Sequence, residues 1–386
     1  MNKKILMSLK IIFLICILIN GTFISCSAKE QKIDISQAGS SIEIKKDLSS
    51  ILPDWADGEY HDYYMAREKL IDFNDNFSSL VSVFSIGKSV LNKDIWCIRI
   101  TNENNNGKKY SCLYDGCTHG DEWESGEACL YFAEYLLINF GKNETITALL
   151  NKSEIYIVPI VNPDGRQSND RYNYNGIDLN RNFDVHFGRI LGGSLPLGKI
   201  FGLKLIKCIF VPFPPYFITN SGRHPFTEPE SRAVRDLMRE LKYNDFSFYL
   251  SLHTSAHTFG SPSDKIIRSE YEISPREIDV LDYSKSWVEN NTEYRSAKDK
   301  NRFGYGSSYS YCFKECHIPS FSLEVLNPDY QKKIIHGRPH DHLVHWMNTT
   351  LPIFMYLLVN IENLHNWNTP DIEPLLPEGV PPEPLQ

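Results

Sequence analysis

The chain has 386 residues, of which 42% are hydrophobic and 23% are charged, and its formal net charge is −8. A chain of this length and composition can bury one large core of the α/β type. The acidic balance argues against a nucleic-acid partner, because such a partner calls for a basic stripe on the surface.

The first residues, 1–26, have the features of an export signal. Lys3 and Lys4 supply a positive start, and the apolar run Ile11–Ile19 is short for a membrane span. Cys26 ends a segment, Phe23–Cys26, that is similar to the cleavage box of bacterial lipoproteins. We therefore predict an extracytoplasmic protein whose Cys26 carries a membrane-anchoring lipid. Plain secretion and a retained anchor are the alternatives.

Three segments follow the signal. Residues 27–56 are polar and lack periodicity, so they are predicted to form a linker. Residues 57–364 alternate between apolar runs and helical patterns and are predicted to be one folded domain. Residues 365–386 become rich in proline and are predicted to be a tail.

Helices and strands alternate within residues 57–364. The predicted helices are His61–Phe73, Gly126–Leu137, Glu228–Leu241, Ser274–Asn290 and His342–Leu358, and the predicted strands are Ile95–Thr101, Tyr110–Cys117, Glu154–Val161, Phe246–Leu252 and Ser320–Val325. Such alternation favours an α/β fold with a central mixed, mostly parallel sheet that helices cover on both faces. The long apolar stretch in 184–227 has two readings, a loop enlarged over the body or a surface that binds a membrane or a partner.

A metal site is indicated by His119 and Glu122, which follow the buried strand Tyr110–Cys117, together with His253 in Ser251–His253. Open α/β sheets place ligands at the carboxyl ends of their strands. Two imidazoles and one carboxylate suit Zn²⁺ and leave a coordination position for water. The sequence therefore predicts one catalytic zinc ion per chain.

Six blocks in a fixed order carry a family resemblance: His119–Glu122, Val161–Gly165, Gly176–Phe183, Glu228–Glu230, Ser251–His253 and Phe321–Glu324. With these blocks the chain resembles the zinc metallocarboxypeptidases of the carboxypeptidase A type, in the style of the bacterial secreted branch that includes carboxypeptidase T. The resemblance implies the zinc carboxypeptidase fold, with 57–364 as the catalytic domain, and peptide or protein C-termini as substrates.

The resemblance also assigns roles to single residues. Glu324 matches the general base that acts on the zinc-activated water, and Arg171 matches the arginine that stabilises the oxyanion, with Arg166 as its rival for that role. Asp178 matches the carboxylate that orients the first zinc histidine. Asn180 matches part of the site for the terminal carboxylate.

Arg181 completes that carboxylate site, because a guanidinium pairs with a carboxylate through two hydrogen bonds. Tyr305 is matched to the family's mobile tyrosine, which covers the substrate. Tyr309 is matched to the pocket of the C-terminal side chain. The preferred side chain is left open by the sequence.

Seven cysteines follow Cys26, so at least one is expected to be a free thiol, and Cys312 and Cys316 are close enough in sequence to form a disulfide bond. Two other functions stay open. One is a related zinc amide hydrolase that acts on cell-wall peptides or N-acyl amino acids. The other is a binding protein without activity on the same fold, which usually lacks a ligand or the base, whereas both are present here.

Overall fold

The computed structural model describes residues 60–190, 193–197, 207–212, 215–254, 257–262, 273–297, 305–325 and 340–367. The predicted signal (1–26) and linker (27–56) lie outside the described residues, as do Cys26 and the tail from residue 368 onward. Those assignments stay predictions.

An eight-stranded sheet forms the centre of the described fold. Its spatial order is β1-β2-β4-β3-β8-β11-β9-β10, with the strands at Val81–Lys88 (β1), Asp94–Ile100 (β2), Tyr110–Asp115 (β3), Ser153–Val158 (β4), Phe246–Thr254 (β8), Thr258–Gly260 (β9), Arg295–Ser296 (β10) and Ser320–Val325 (β11). Strands β4, β3, β8 and β11 run parallel to one another, whereas β1 with β2, β2 with β4, and β9 with β11 pair antiparallel. The predicted mixed sheet is confirmed.

Burial explains why the sequences of the central strands are nearly continuous apolar runs. Every residue of β3 and of β8 is buried, which requires cover on both faces of the sheet. Helices supply it, at Tyr63–Asn76 (α1), Trp123–Asn139 (α2), Glu144–Lys152 (α3), Pro163–Ser168 (α4), Pro229–Leu241 (α5), Pro275–Asn291 (α6), Ser308–Cys316 (α7), His340–Val359 (α8) and Ile361–His365 (α9).

Most helix ends agree with local capping chemistry. The Ser274 hydroxyl accepts from the Glu277 amide while the Glu277 side chain accepts from the Ser274 amide, so both free amides at the start of α6 are satisfied. The predicted helices all exist, with ends shifted by a few residues. The sequence analysis did not predict the helices α3, α4, α7 and α9 or the strands β1, β9 and β10. The helix α7 begins where the Ser307 side chain caps the amide of Ser310.

Part of the apolar 184–227 stretch forms a second, three-stranded sheet. Its strands are Ser194–Leu195 (β5), Cys208–Pro212 (β6) and Pro215–Asn220 (β7), in the order β5-β7-β6. β6 and β7 form an antiparallel pair, in which Phe210 lies opposite Phe217. The enlarged-loop prediction is therefore too simple for the described part of this stretch.

Gly120 is required by close packing of the turn after β3. A Cβ atom on Gly120 would lie 2.0 Å from the carbonyl carbon of Gly165 and 2.4 Å from the Arg166 amide nitrogen. No side chain fits there without moving backbone. The turn that carries His119 and Glu122 is consequently held directly against the start of α4.

The seven cysteines in the described residues are all unpaired, so the disulfide bond considered for Cys312 and Cys316 does not form. Six of the seven are buried, and burial raises the pKa of the Cys97 thiol above its usual range. They behave as small apolar core residues. No helix within the described ranges is long and apolar enough to cross a membrane.

Candidate metal centre

Four parallel strands end at one edge of the sheet, and the predicted metal ligands and general base lie there. His119 and Glu122 follow β3, His253 lies near the end of β8, and Glu324 lies near the end of β11. Glu324 and His253 are partners across the β8–β11 ladder. Residues far apart in the chain thus meet, because the carboxyl ends of parallel strands lie at the same edge of the sheet.

Glu122 joins the two histidines. Its Oε1 lies 2.7 Å from Nδ1 of His119, and its Oε2 lies 2.9 Å from Nδ1 of His253. The three side chains are buried, and their donor atoms lie within 4.8 Å of one another. Among the described residues this is the group of His, Cys, Asp and Glu side chains that could hold a metal ion. Two imidazoles and a carboxylate fit zinc.

Asp178 and Arg171 surround this trio. Asp178 Oδ1 lies 3.1 Å from Nε2 of His119, the ring nitrogen that faces away from Glu122. The Arg171 guanidinium donates to Asp178 Oδ2 at 3.0 Å and to Glu122 Oε1 at 3.3 Å. Arg171 is also partly exposed, so it lies between buried carboxylates and solvent. The predicted neighbours of the metal ligands are therefore brought together.

Electrostatics follow from these contacts. Burial by itself would lower the pKa of His119, as would Arg171, but the Glu122 and Asp178 carboxylates outweigh both and raise that pKa to about 9. Burial by itself would raise the pKa of Glu122, whereas His119 and His253 hold it well below its usual range. Since a metal ligand must be deprotonated, metal binding here would release a proton from His119.

A buried polar chain behind His253 was not predicted from the sequence. Ser251 Oγ lies 3.4 Å from Nε2 of His253 and donates to Asp115 Oδ1 at 2.8 Å, and the Tyr249 hydroxyl donates to Asp115 Oδ2 at 2.5 Å. Burial raises the pKa of Asp115 to about 6 despite these donors. The one indication of this polar chain in the sequence was Asp115, an acidic residue at the end of a strand that is mostly apolar.

Asn180 and Arg181 form a single 3₁₀ turn, Leu179–Arg181, next to this chain. Asn180 Nδ2 lies 3.0 Å from Nε2 of His253, and its Oδ1 accepts from the Ser308 amide at 3.1 Å. Arg181 donates from one terminal nitrogen to the Asn180 carbonyl at 2.7 Å. Its Nε is buried and has no hydrogen-bond partner within the described structure.

Gly306 fixes the backbone of Arg181 from the other side. Gly306 has φ +71°, and a Cβ atom there would lie 2.5 Å from the Arg181 carbonyl oxygen. Tyr309 is buried, and the Arg181 charge is close enough to influence its pKa, which burial raises. Tyr305 is also buried, with its ring centre 4.8 Å from that of His186.

Arg166, the rival of Arg171, is fully buried elsewhere. Its guanidinium pairs with Glu127 at 2.6 Å, donates to the His61 carbonyl and lies 3.9 Å from the Trp123 ring centre. Through these contacts the Arg166 guanidinium links His61, which precedes α1, to Glu127 in α2. Arg171 is the arginine that this structure places against the metal ligands.

The acidic pair Glu228 and Glu230 supports the loop that follows Arg171. Asn173 donates to Glu228 at 2.7 Å and to Glu230 at 3.1 Å, and Asn175 donates to Glu228 at 2.7 Å. Burial raises the pKa of Glu230 to about 7. The Glu228–Glu230 block therefore contributes to the site through the backbone of this loop.

Comparison with known proteins agrees with the fold and identifies the family. The sequence profile described as zinc carboxypeptidase matches residues 67–325, which is more than half of the chain. The chain therefore belongs to the zinc carboxypeptidase family.

Individual relatives are distant. The chain is 34% identical to carboxypeptidase M of Mus musculus over 34% of its own length and 32% of that enzyme's, and 23% identical to mast cell carboxypeptidase A of Rattus norvegicus over 64% and 55%. The matched part of the chain thus spans about half or less of the length of these two relatives. The crystal structure of carboxypeptidase A from Helicoverpa armigera matches with a TM-score of 0.58 and 18% identity, covering 85% of this chain and 78% of that one.

We expect Asp178→Asn to weaken zinc binding about 10- to 100-fold, because His119 would lose the carboxylate that orients its ring and raises its basicity. Competition with a coloured chelator measures this affinity directly. Asp94→Asn is a matched control, since Asp94 pairs with Lys88 at 2.6 Å on the antiparallel edge of the sheet. Equal zinc affinity in the Asp178 and Asp94 variants would contradict the role given to Asp178.

Proposed function

We propose that the protein is a zinc-dependent metallocarboxypeptidase that hydrolyses the C-terminal peptide bond of peptides or proteins. The single observation that carries this proposal is the buried, unpartnered Nε of Arg181. Arg181 follows Asn180, whose side chain lies 3.0 Å from His253 of the metal-ligand trio. Buried donors are almost always paired, so this group calls for an acceptor from a ligand. A terminal carboxylate matches a guanidinium in both charge and geometry.

His119, Glu122 and His253 would hold the zinc ion, which supplies Lewis-acid chemistry that activates water and polarises a carbonyl group. Glu324 would accept the proton of the attacking water on its carboxylate and return it to the leaving amine. Burial raises the pKa of Glu324, although His253 opposes this rise, and a less acidic carboxyl is a better base near neutral pH. Arg171, partly exposed, would donate to the oxyanion.

Substrate positioning falls to the remaining residues. Arg181, with the backbone turn at Asn180, would bind the terminal carboxylate, and Tyr309 would line the pocket for the last side chain. Tyr305 is the proposed cover of the substrate. Membership of the bacterial secreted branch is a further proposal, supported by the export-like segment 1–26.

Changing Glu324→Gln should lower kcat by about 100-fold or more, since the amide cannot accept the proton of water. Zinc content should stay unchanged, because Glu324 is not one of the three ligands. Steady-state hydrolysis of a blocked dipeptide, together with metal analysis of the same preparation, checks both expectations. Near-normal turnover in a zinc-loaded Glu324→Gln variant would require another base.

The exopeptidase assignment predicts that amidating the substrate's C-terminus lowers kcat/KM by roughly 30- to 1,000-fold, since a charge-assisted pair worth about 2–4 kcal/mol is lost. Arg181→Ala should cause a loss of similar size on the free acid but little further loss on the amide. Both changes delete the same interaction.

The measurement is a double cycle of enzyme variant and substrate end group. Arg239→Ala is a control, because Arg239 is an exposed cation on α5 that pairs with Glu315 and has no role in the proposed site. Penalties that multiply, or efficient cleavage of the amide by the unaltered protein, would favour the alternative of a zinc amide hydrolase. A zinc-loaded protein that binds these peptides but cleaves none would favour a binding protein.

We also propose that Cys26 is lipidated after signal cleavage, which would leave the catalytic domain attached to a membrane outside the cytoplasm. Mass spectrometry of the mature N-terminus tests this proposal. A diacylglycerol-modified Cys26 as the first residue is expected. An unmodified residue downstream of Cys26 would refute lipidation and leave the enzymatic proposal unaffected.

A further inference from the structure

Two phenylalanines are exposed side by side on the hairpin formed by β6 and β7. Phe210 is 54% exposed and Phe217 is 55% exposed, and their ring centres lie 5.2 Å apart across the strand pair. Single exposed apolar residues are common on protein surfaces, but two exposed aromatic rings side by side, here tilted at 51° to each other, indicate a binding patch. We call these two residues the aromatic pair.

The base of this hairpin is anchored to the loop that carries Arg171. The Asp178 amide donates to the carbonyl of Asn220, the last residue of β7, at 2.8 Å. Lys207, just before β6, forms an ion pair with Asp170 and lies 5.5 Å from the Tyr172 ring centre. The start of β6 therefore meets the candidate site at the residues that flank Arg171, and the end of β7 meets it at Asp178, which bonds to Arg171.

Strand geometry gives the direction from that base to the aromatic pair. Burial and the neighbouring Cys208 side chain raise the pKa of the Tyr172 hydroxyl, so Cys208 lies near Tyr172. Cys208 and Phe210 lie on the same face of β6, because side chains alternate along a strand. Thr219 and Phe217 share that face of β7, since they are the ladder partners of Cys208 and Phe210. Two residues of strand cover about 7 Å. The surface that begins at Tyr172, next to Arg171, therefore extends outward along the hairpin to the aromatic pair.

We propose that the aromatic pair is an extension of the substrate site, which binds apolar side chains of the peptide upstream of the scissile bond. This inference rests on the proposed carboxypeptidase function. Continuity with the site selects a peptide as the occupant: Arg171, Tyr172, Cys208 and Phe210 form one path from the metal ligands to the exposed rings. A substrate fixed by its C-terminus at Arg181 has its remaining residues free to follow this path as an extended chain.

The test compares peptides that differ only upstream. A blocked dipeptide is measured beside two hexapeptides that end in the same dipeptide, one with Leu and Phe at the upstream positions and the other with Gly and Ser. For the unaltered protein, kcat/KM should be about 10-fold higher for the apolar hexapeptide than for the polar one. This is the gain expected when one upstream Leu or Phe side chain of the peptide moves from water onto the aromatic pair. The double variant Phe210→Ala/Phe217→Ala should reduce this ratio towards one.

Two further variants sharpen the comparison. Phe210→Tyr/Phe217→Tyr keeps the rings and should retain most of the preference for the apolar hexapeptide. Tyr243→Ala removes a ring that is 86% exposed just beyond α5, and it should leave the ratio at the value of the unaltered protein. A ratio that is the same in all four proteins would overturn the proposal.

Other occupants of the aromatic pair give different results. If the double alanine variant keeps the ratio but loses self-association in sedimentation, the aromatic pair binds a second copy of the chain. If this variant keeps the ratio but loses binding to vesicles of anionic phospholipid, the aromatic pair binds a membrane. Either result overturns the proposal. If the unaltered, zinc-loaded protein cleaves none of the three peptides, the proposed carboxypeptidase function itself is refuted. Cleavage of the dipeptide with no upstream preference refutes only the extension of the site.

Discussion

The Glu122 carboxylate, shared between His119 and His253, is the constraint on which the rest of the site depends. Each of its oxygens faces one imidazole, at 2.7 and 2.9 Å. That arrangement exists only because β3 and β8 are parallel neighbours that end at the same edge of the sheet. The packing of Gly120 against Gly165 then fixes the turn that presents two of the three ligands.

Charge balance extends outward from this carboxylate. Asp178 and Arg171 bond to each other and to the ligands, so the buried charges are paired rather than isolated, which limits the cost of burying them. On the other side, His253 is supported by Ser251 and Asp115. Preorganised neighbours of this kind hold metal ligands in place before the metal binds.

Much of this arrangement could be predicted from the sequence, since the blocks around His119 and His253 lie at strand ends that apolar runs mark well. Asp178 caps a 3₁₀ turn instead, and its place was predicted from the family resemblance. The chain from Tyr249 through Ser251 to Asp115 could not be predicted, because side-chain contacts between neighbouring strands depend on the register. α7 was missed for a related reason: its serine- and aromatic-rich sequence has a weak helix propensity, and packing against β8 and β11 stabilises it. The hairpin of β6 and β7 was hidden in an apolar stretch without a clear period.

The most direct test of this account is the stoichiometry and affinity of zinc binding in protein first stripped of metal. Calorimetric titration should show one zinc ion per chain, and His253→Ala should bind zinc at least about 100-fold more weakly, because one of three protein ligands is lost. The same titration of His317→Ala, which changes an exposed histidine beside Glu277, should match the unaltered protein. Unchanged zinc affinity in the His253→Ala variant would contradict the proposed metal centre.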